Sequence, residues 1–454
     1  MRAHDMITLP PHVASLASGV RAEFPLLRAP LALLVDDPMP CFNPLYYHRK
    51  FFDGHARPHN RAGYPLVRTI PPDFLDRFCD VVRAGGARGK FSVVPNPFGL
   101  GEIDRSVRGC PRRQCRRFIE TVRSRLSRDF DITPEMATHG HALDLDTGRR
   151  RAENEDVWSR RQGVNSLTRY LTYAAGILQR AGLQPDGFTS PWSFGSRVER
   201  HYAEAALRAQ QAVNGRSLTW YFLATSDRRR VLPRLMVLRR ASGQAVVHIV
   251  AGCPDLLWQT QDAARADAAC LRAIVDSYLT SDGGGRLGEL VASASFAVLL
   301  THWQSLYSNG SEAGLAALAG VLARLKRTLG ARITWMKCSE MARYYAAAKA
   351  ASARAVDRGL AIRSPFACPA FTASIPAPRR PGVLTANGRQ LRRVESPLRL
   401  RNGTWAWRAG RAYVCLDLPA GRDIVLDASP RKRGMRQRRR EACGAGGRLA
   451  RQPS

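Results

Sequence analysis

The feature that most constrains this chain is an alternation of short apolar runs with longer stretches of helical periodicity. The runs are LALLV (31–35), KFSVV (90–94), PEMAT (134–138), GFTS (187–190), LTWYFLA (218–224), AVVHIVA (245–251), SFAVLLT (295–301) and RITWM (332–336). Several are apolar without interruption, as strands covered on both faces are. Between them, PPDFLDRFCDVVRAG (71–85) opens on prolines, carries an acid in its first turn and lines Phe74, Phe78, Val81 and Val82 along one stripe. Further helical patterns fall near 113–126, 164–181, 198–212, 262–277 and 312–329. Such repeated alternation predicts an α/β fold on a parallel sheet, most simply a distorted (β/α) barrel of about seven to eight strands.

The barrel is expected over 29–351, after an N-terminal extension (1–28). Beyond it the alternation stops. Proline-rich 352–381 reads as a linker, and 382–429 as a small β-rich appendage with turns at Asn387-Gly388, Asn402-Gly403 and Ala420-Gly421. Residues 430–454 read as a disordered Arg-rich tail. A length of 454 residues accommodates a barrel of about 250 residues or more with these attachments.

Composition narrows the function classes. At 45% hydrophobic and 24% charged, the chain is globular. No apolar run approaches the ~20 residues of a membrane span. The N-terminus, MRAHDMITLPPHV, has no uninterrupted apolar segment of a secretory signal, so a cytoplasmic protein is expected. A net charge of +33 invites a nucleic-acid partner. Lysine stands only at Lys50, Lys90, Lys326, Lys337, Lys349 and Lys432, however, so nearly all of the 70 basic residues are arginine. A GC-rich coding sequence produces that skew without selection for polyanions, and nucleic acid is not the expected partner. Binding through the tail would be steeply salt-dependent and would vanish without 430–454. Of ten cysteines only Cys110 and Cys115 lie close together, and no second pair completes a four-ligand zinc site. Reduced, buried thiols are expected.

In parallel barrels functional side chains stand at the C-terminal ends of strands. Here those ends run into Asp36-Asp37-Pro38, Pro95-Asn96, His139-Gly140-His141, Pro191-Trp192 and His302-Trp303. Adjacent carboxylates persist most easily when a cation neutralises one, so one aspartate is read as a metal ligand and the other as a general base; the plain alternative is two solvated loop aspartates. His139 and His141, two apart, face the same way in extended chain and can share an ion. Asp144 is read as supporting them or capping a helix. His302 is read as a general acid, with Trp303 as a wall for a sugar face. Asp255 is a candidate hydrogen-bond partner for a catalytic group. His248, inside its strand, fits the core better.

Taken in order, these segments resemble the polysaccharide deacetylase family, metal-dependent carbohydrate esterases of the glycoside hydrolase/deacetylase β/α-barrel superfamily. LLVDDP resembles the TFDDG motif, THGHALD lies where the H-x-x-x-H ligand motif falls, FTSPWSFG is similar to the R-x-P-x-G groove motif, and VLLTHW to the closing L-x-H motif. The resemblance implies Asp36 as base, Asp37 with His139 and His141 as ligands to a divalent metal (zinc first), and His302 as acid. It implies Pro191, Trp192, Phe194 and Trp303 around a carbohydrate or N-acyl sugar substrate, with Asp144, Asp255 and His248 in support. Three departures stand out: Pro38 replaces the motif glycine, Leu143 occupies the second histidine position after His139, and Thr189 and Ser190 stand where the groove arginine belongs. The insertion 42–70 adds Tyr46, Tyr47, His48, His55 and His59. The expected function is metal-dependent removal of an acyl group from an N-acylated sugar or related amide. The alternative is a glycoside-hydrolase-like or catalytically silent carbohydrate-binding barrel.

Overall fold

A computed structural model of the chain describes residues 12–17, 19–262 and 267–429. The elements follow the alternation closely. Strands β1 (Ala14–Ala17) and β2 (Val20–Ala22) precede β3 (Ala29–Asp36), β4 (Gly89–Val93), β5 (Phe130–Pro134), the hairpin β6 (His141–Leu143) and β7 (Arg150–Asn154), β8 (Phe188–Thr189), β9 (Leu218–Thr225), β10 (Arg234–Arg239), β11 (Gln244–Ala251), β12 (Ala297–His302) and β13 (Ile333–Trp335). Helices α1 (Pro44–Phe51), α2 (Pro72–Gly85), α3 (Arg112–Thr121), α4 (Glu155–Ser159), α5 (Val164–Arg180), α6 (Glu199–Asn214), α7 (Ala268–Tyr278), α8 (Gly285–Ala292), α9 (Trp303–Tyr307), α10 (Ala313–Leu329) and α11 (Cys338–Ala350) lie between and after them. The C-terminal strands are β14 (Ser352–Val356), β15 (Gly359–Arg363), β16 (Cys368–Pro376), β17 (Val383–Ala386), β18 (Arg389–Gln390), β19 (Arg392–Arg393), β20 (Thr404–Arg408), β21 (Arg411–Leu418) and β22 (Asp423–Ser429).

One sheet runs β12-β3-β4-β5, all parallel, with β13 also on β3. A second runs β10-β11-β9-β8, parallel except for β10. Isolated parallel bridges join the two: Ile132 to Pro185 and Glu135 to Thr189 on one side, Cys253 to Leu299 on the other. The C-terminal ends of β3, β5, β8 and β12 therefore gather at one end. Alternation along β3 divides the packing. Leu31, Leu33 and Val35 pack with Phe74, Phe78 and Val82 of α2 and with Leu318 and Leu322 of α10. Ala32 and Leu34 belong to a second core with Trp220, Val247 and Val298. Gly89 permits β4 to pair closely with β3, since a Cβ there would lie 1.9 Å from the Leu33 carbonyl oxygen.

Three expectations are corrected. The strand read at 134–138 is β5, Phe130–Pro134, so the residues after Pro134 form the strand-end loop. The linker read at 352–381 holds β14, β15 and β16. Its prolines are tolerated because Pro376 ends β16 and Pro369 sits at a register shift beside Ala370, at φ +51°. Within the extension read at 1–28, the described strands are not separate from the appendage. Strands β1 and β2 join β16, β21, β20 and β19 in one sheet, whose Phe371, Trp405 and Val414 share a core with Ile362, Leu384 and Leu426 of a second sheet, β14-β15-β22-β17-β18. The tail read at 430–454 lies outside the described residues.

Candidate metal and acid–base site

The site is built at those gathered strand ends. Asp36 closes β3 and Asp37 begins the loop after it in the left-handed region, at φ +72°. Glu135 follows β5 directly, and His139, four residues on, is also left-handed at φ +51°. Backbone strain of this kind persists only where surrounding contacts fix it. Here Asp37 N–H donates to Glu135 Oε2 at 2.6 Å, and Ser92 Oγ donates to the same oxygen at 2.5 Å. The loop bearing His139 is held by Glu155, whose Oε1 accepts from Ala137 N–H and Thr138 N–H at 2.9 Å and from Tyr170 OH at 2.7 Å. Burial raises the Glu155 pKa to about 7.

Asp37, Glu135 and His139 converge, all buried, each offering one ligand atom within 4.8 Å of the others. His139 Nε2 is 2.8 Å from Asp37 Oδ1 and 3.4 Å from Glu135 Oε1. Gln304 Nε2 donates to Asp37 Oδ2. Burial disfavours charge on both partners, but their attraction outweighs it: Asp37 is held well below the usual carboxylate range, and His139 well above the usual imidazole range. Two carboxylates and an imidazole aimed at one point, with a proton on His139 standing between the carboxylates, form a donor set that fits a divalent cation. On its far side His139 Nδ1 is 2.8 Å from His48 Nε2, whose pKa burial and His139 lower to about 3. A neutral His48 accepts the Nδ1 proton and fixes the ring.

Beside this cluster, Asp36 is buried against Lys90, the fully buried ammonium of β4, in an ion pair. Burial raises the Asp36 pKa to about 6 even though Lys90 opposes the shift. Across the cleft, His302 Nδ1 is 2.8 Å from Asp255 Oδ2, which also accepts from His302 N–H at 3.1 Å and Ser305 Oγ at 2.7 Å. Burial opposes protonation of His302, but Asp255 and the nearby aspartates raise its pKa to about 9. The cleft encloses about 480 Å³, with Trp192 and Trp258 among its walls. Trp192, 46% exposed, lies over His139 and His48, with ring centroids 4.9 and 5.4 Å away. Trp258 stands edge-on to His302 at 5.2 Å.

Of the residues singled out from sequence, Asp36, Asp37, His139, Trp192, Asp255 and His302 meet around this cleft. Others do not. His141 points away, its Nδ1 3.2 Å from Ala152 O and its ring against Phe52, because the left-handed turn at His139 breaks the extended alternation. Asp144 accepts from Asp146 N–H and Thr147 N–H in a turn and pairs with Arg151. His248 is buried, stacked on Tyr221 and 2.9 Å from Glu199. Trp303 is core, packed among Phe74, Phe78 and Phe91. Phe194 is core against Tyr170 and Tyr202. Buried Pro191 accepts Phe194 N–H through its carbonyl in the turn beneath Trp192. Sequence reasoning missed Glu135, Lys90, Glu155, Trp258 and Gln304, and named His48 only as part of an insertion. Glu135 had one usable signal, its four-residue spacing from His139.

What fold and site define is a mixed α/β protein with a buried Asp–Glu–His group and an Asp–His pair at the C-terminal ends of parallel strands. No family model matches the chain, and no curated protein matches it. Among solved structures it is similar to a mutant of a CE4 family pseudoenzyme, at 8% identity over 69% of this chain and 67% of that one, with a TM-score of 0.33. A second mutant of that pseudoenzyme, described as having restored enzymatic activity, gives the same values. The lactam utilization protein from Thermus thermophilus follows at 13% identity, 68% and 98% coverage and a TM-score of 0.29. Among the described residues no helix is long and apolar enough to cross a membrane.

Proposed function

We propose that the chain is a metal-dependent hydrolase of the polysaccharide deacetylase type, acting on an N-acylated sugar or related amide. The observation that carries this reading is the convergence of Asp37, Glu135 and His139 between a buried aspartate, Asp36, and a histidine–aspartate pair, His302 and Asp255. Glu135-x-x-x-His139 supplies the H-x-x-x-H spacing that the sequence lacks after His139, with glutamate in first place. The parallel bridges at both seams support closure of β3, β4, β5, β8, β9, β11 and β12 into one seven-stranded barrel.

Asp37, Glu135 and His139 would hold the cation. When bound, it supplies Lewis acidity toward an acyl oxygen and makes water a better nucleophile at neutral pH. The remaining work falls to this chain. Asp36, kept ionised by Lys90, takes the proton of the attacking water. His302, kept protonated by Asp255, gives its proton to the departing nitrogen. Trp192 and Trp258 give a sugar ring two aromatic walls. Exchanging one expected histidine for a carboxylate hardens the donor set and widens the choice of cation from zinc toward manganese.

The test is elemental analysis of tag-free protein purified without chelator, followed by assay of the loaded protein on N-acetylated sugar oligomers. About one equivalent of a transition metal, absent in Glu135→Gln, together with acetate release is expected. Metal without acetate release would leave a silent carbohydrate-binding barrel, and no metal even after incubation with excess ions would end the hydrolase reading.

A further inference from the structure

Three thiols cluster away from the cleft. Cys41 lies on the β3–α1 connection, Cys110 on the β4–α3 connection, and Cys115 in α3. Cys41 and Cys110 Sγ are 2.6 Å apart, nearer than two unbonded sulfurs rest and approaching the ~2.05 Å of a disulfide. Cys41 Sγ donates to Gln114 Oε1 at 3.1 Å, which leaves sulfur lone pairs for Cys110. Cys41 is itself left-handed, at φ +66°, a strained conformation for a side chain held in this place. Cys115 is the other hydrogen-bonding neighbour of Cys110; that bond lowers the Cys115 pKa and, together with the Cys41 bond and burial, raises that of Cys110, so Cys110 hands its proton toward Cys115. All three are buried, yet Cys110 and Cys115 line a surface cleft of about 400 Å³ that Arg105, Arg112 and Arg116 also line. Asp104 and Glu120 line the cleft too, but arginines predominate and admit anions to the thiols, with Cys115 placed to take the Cys110 proton.

We propose that Cys41 and Cys110 form a reversible disulfide, loaded through this cleft by an anionic low-molecular-weight disulfide. Cys110 passes its proton to Cys115 and its sulfur attacks one sulfur of the small disulfide. A Cys110–S–S–R bond forms, the small disulfide bond breaks, and the leaving thiolate takes up the proton that Cys110 gave. Cys41 Sγ then attacks Cys110 Sγ, the mixed disulfide breaks, and the second small thiolate takes the Cys41 proton. Two cysteine thiols are oxidised and one small disulfide is reduced to two thiols. The product ties the loop four residues beyond Asp37 to the segment before α3, so the oxidation state of this pair bears on the placement of the Asp37 turn.

The test uses the full chain, reduced, freed of reductant and incubated with oxidised glutathione. Remaining thiols are alkylated under denaturing conditions, and the digest is read by mass spectrometry without reduction. Exposed Cys270 serves as the control for the oxidant, since an exposed thiol is open to exchange with glutathione. The expected product joins the Cys41 and Cys110 peptides with loss of two hydrogens and separates on reduction. Recovery of both as alkylated thiols beside a glutathionylated Cys270, a Cys110–Cys115 pair, or a stable glutathione adduct on Cys110 would each overturn the proposal.

Discussion

His139 faces two carboxylates through Nε2 and His48 through Nδ1, so in the absence of a cation it holds both protons. A metal must displace the Nε2 proton, which makes proton and metal direct competitors. Calorimetric titration in buffers of different ionisation heat should show about one proton released per ion, with affinity weakening as pH falls. No proton release would mean that His139 is not a ligand. His48→Ala, which removes support but no ligand atom, should weaken binding by about 10–100-fold, and His141→Ala should leave it unchanged. A second residue-scale prediction concerns His302. Its folded pKa of about 9 exceeds the ordinary imidazole value, so the proton is retained at neutral pH and lost as pH rises through about 9. Asp255→Asn removes the hydrogen-bonded carboxylate that raises it, and NMR titration of the imidazole should move to lower pH. A cation beside Asp37 should lower it further in the loaded protein. An unmoved titration in Asp255→Asn would sink the general-acid assignment.

At the scale of elements, apolar runs located most of the parallel strands but missed β10 (RLMVLR), and misplaced β5, where a buried position is charged. The fifth strand reads FDITP, and Asp131 hides it. That carboxylate is satisfied inside the protein by Ser339 N–H at 2.6 Å and Ser339 Oγ at 2.8 Å, at the start of α11, an arrangement no local pattern announces. Misplacing that strand moved the strand-end loop, and Glu135 was lost as a ligand while His141 was gained. Asp36, Asp37 and His302 were legible because each directly ends an apolar run. Lys90 was not, since a lysine at a strand start reads as solvated. Helix α9 carries the remaining ambiguity: its first residue, Trp303, follows the acid–base histidine but packs back onto α2. Trp303→Ala should cost about 3–5 kcal/mol in denaturant unfolding. Trp192→Ala, on a half-exposed ring, should cost less stability than Trp303→Ala while weakening carbohydrate binding. A Trp303→Ala protein of unchanged stability that loses sugar binding would reverse these roles.

Across the whole molecule, the C-terminal sheets are continuous with the core of the parallel strands. Ala32, Leu34, Trp220 and Val298 share a cluster with Met341 and Tyr345 of α11 and with Phe371, Trp405 and Val414 of the C-terminal sheets. Tyr344 OH donates to Glu23 O at 2.7 Å and accepts Thr372 N–H at 3.2 Å, linking the segment after β2, helix α11 and β16. A chain ending at Ala351 would lose every partner from β14 onward and expose several large apolar side chains, each contributing about 1.5–3 kcal/mol when buried. Their sum matches the entire stability of an ordinary domain, about 5–15 kcal/mol. The truncated chain should therefore be insoluble, or show no cooperative thermal transition where the full chain shows one. A soluble fragment that unfolds cooperatively and retains metal would establish the strands from β14 onward as a separable domain and confine the site's requirements to the parallel strands.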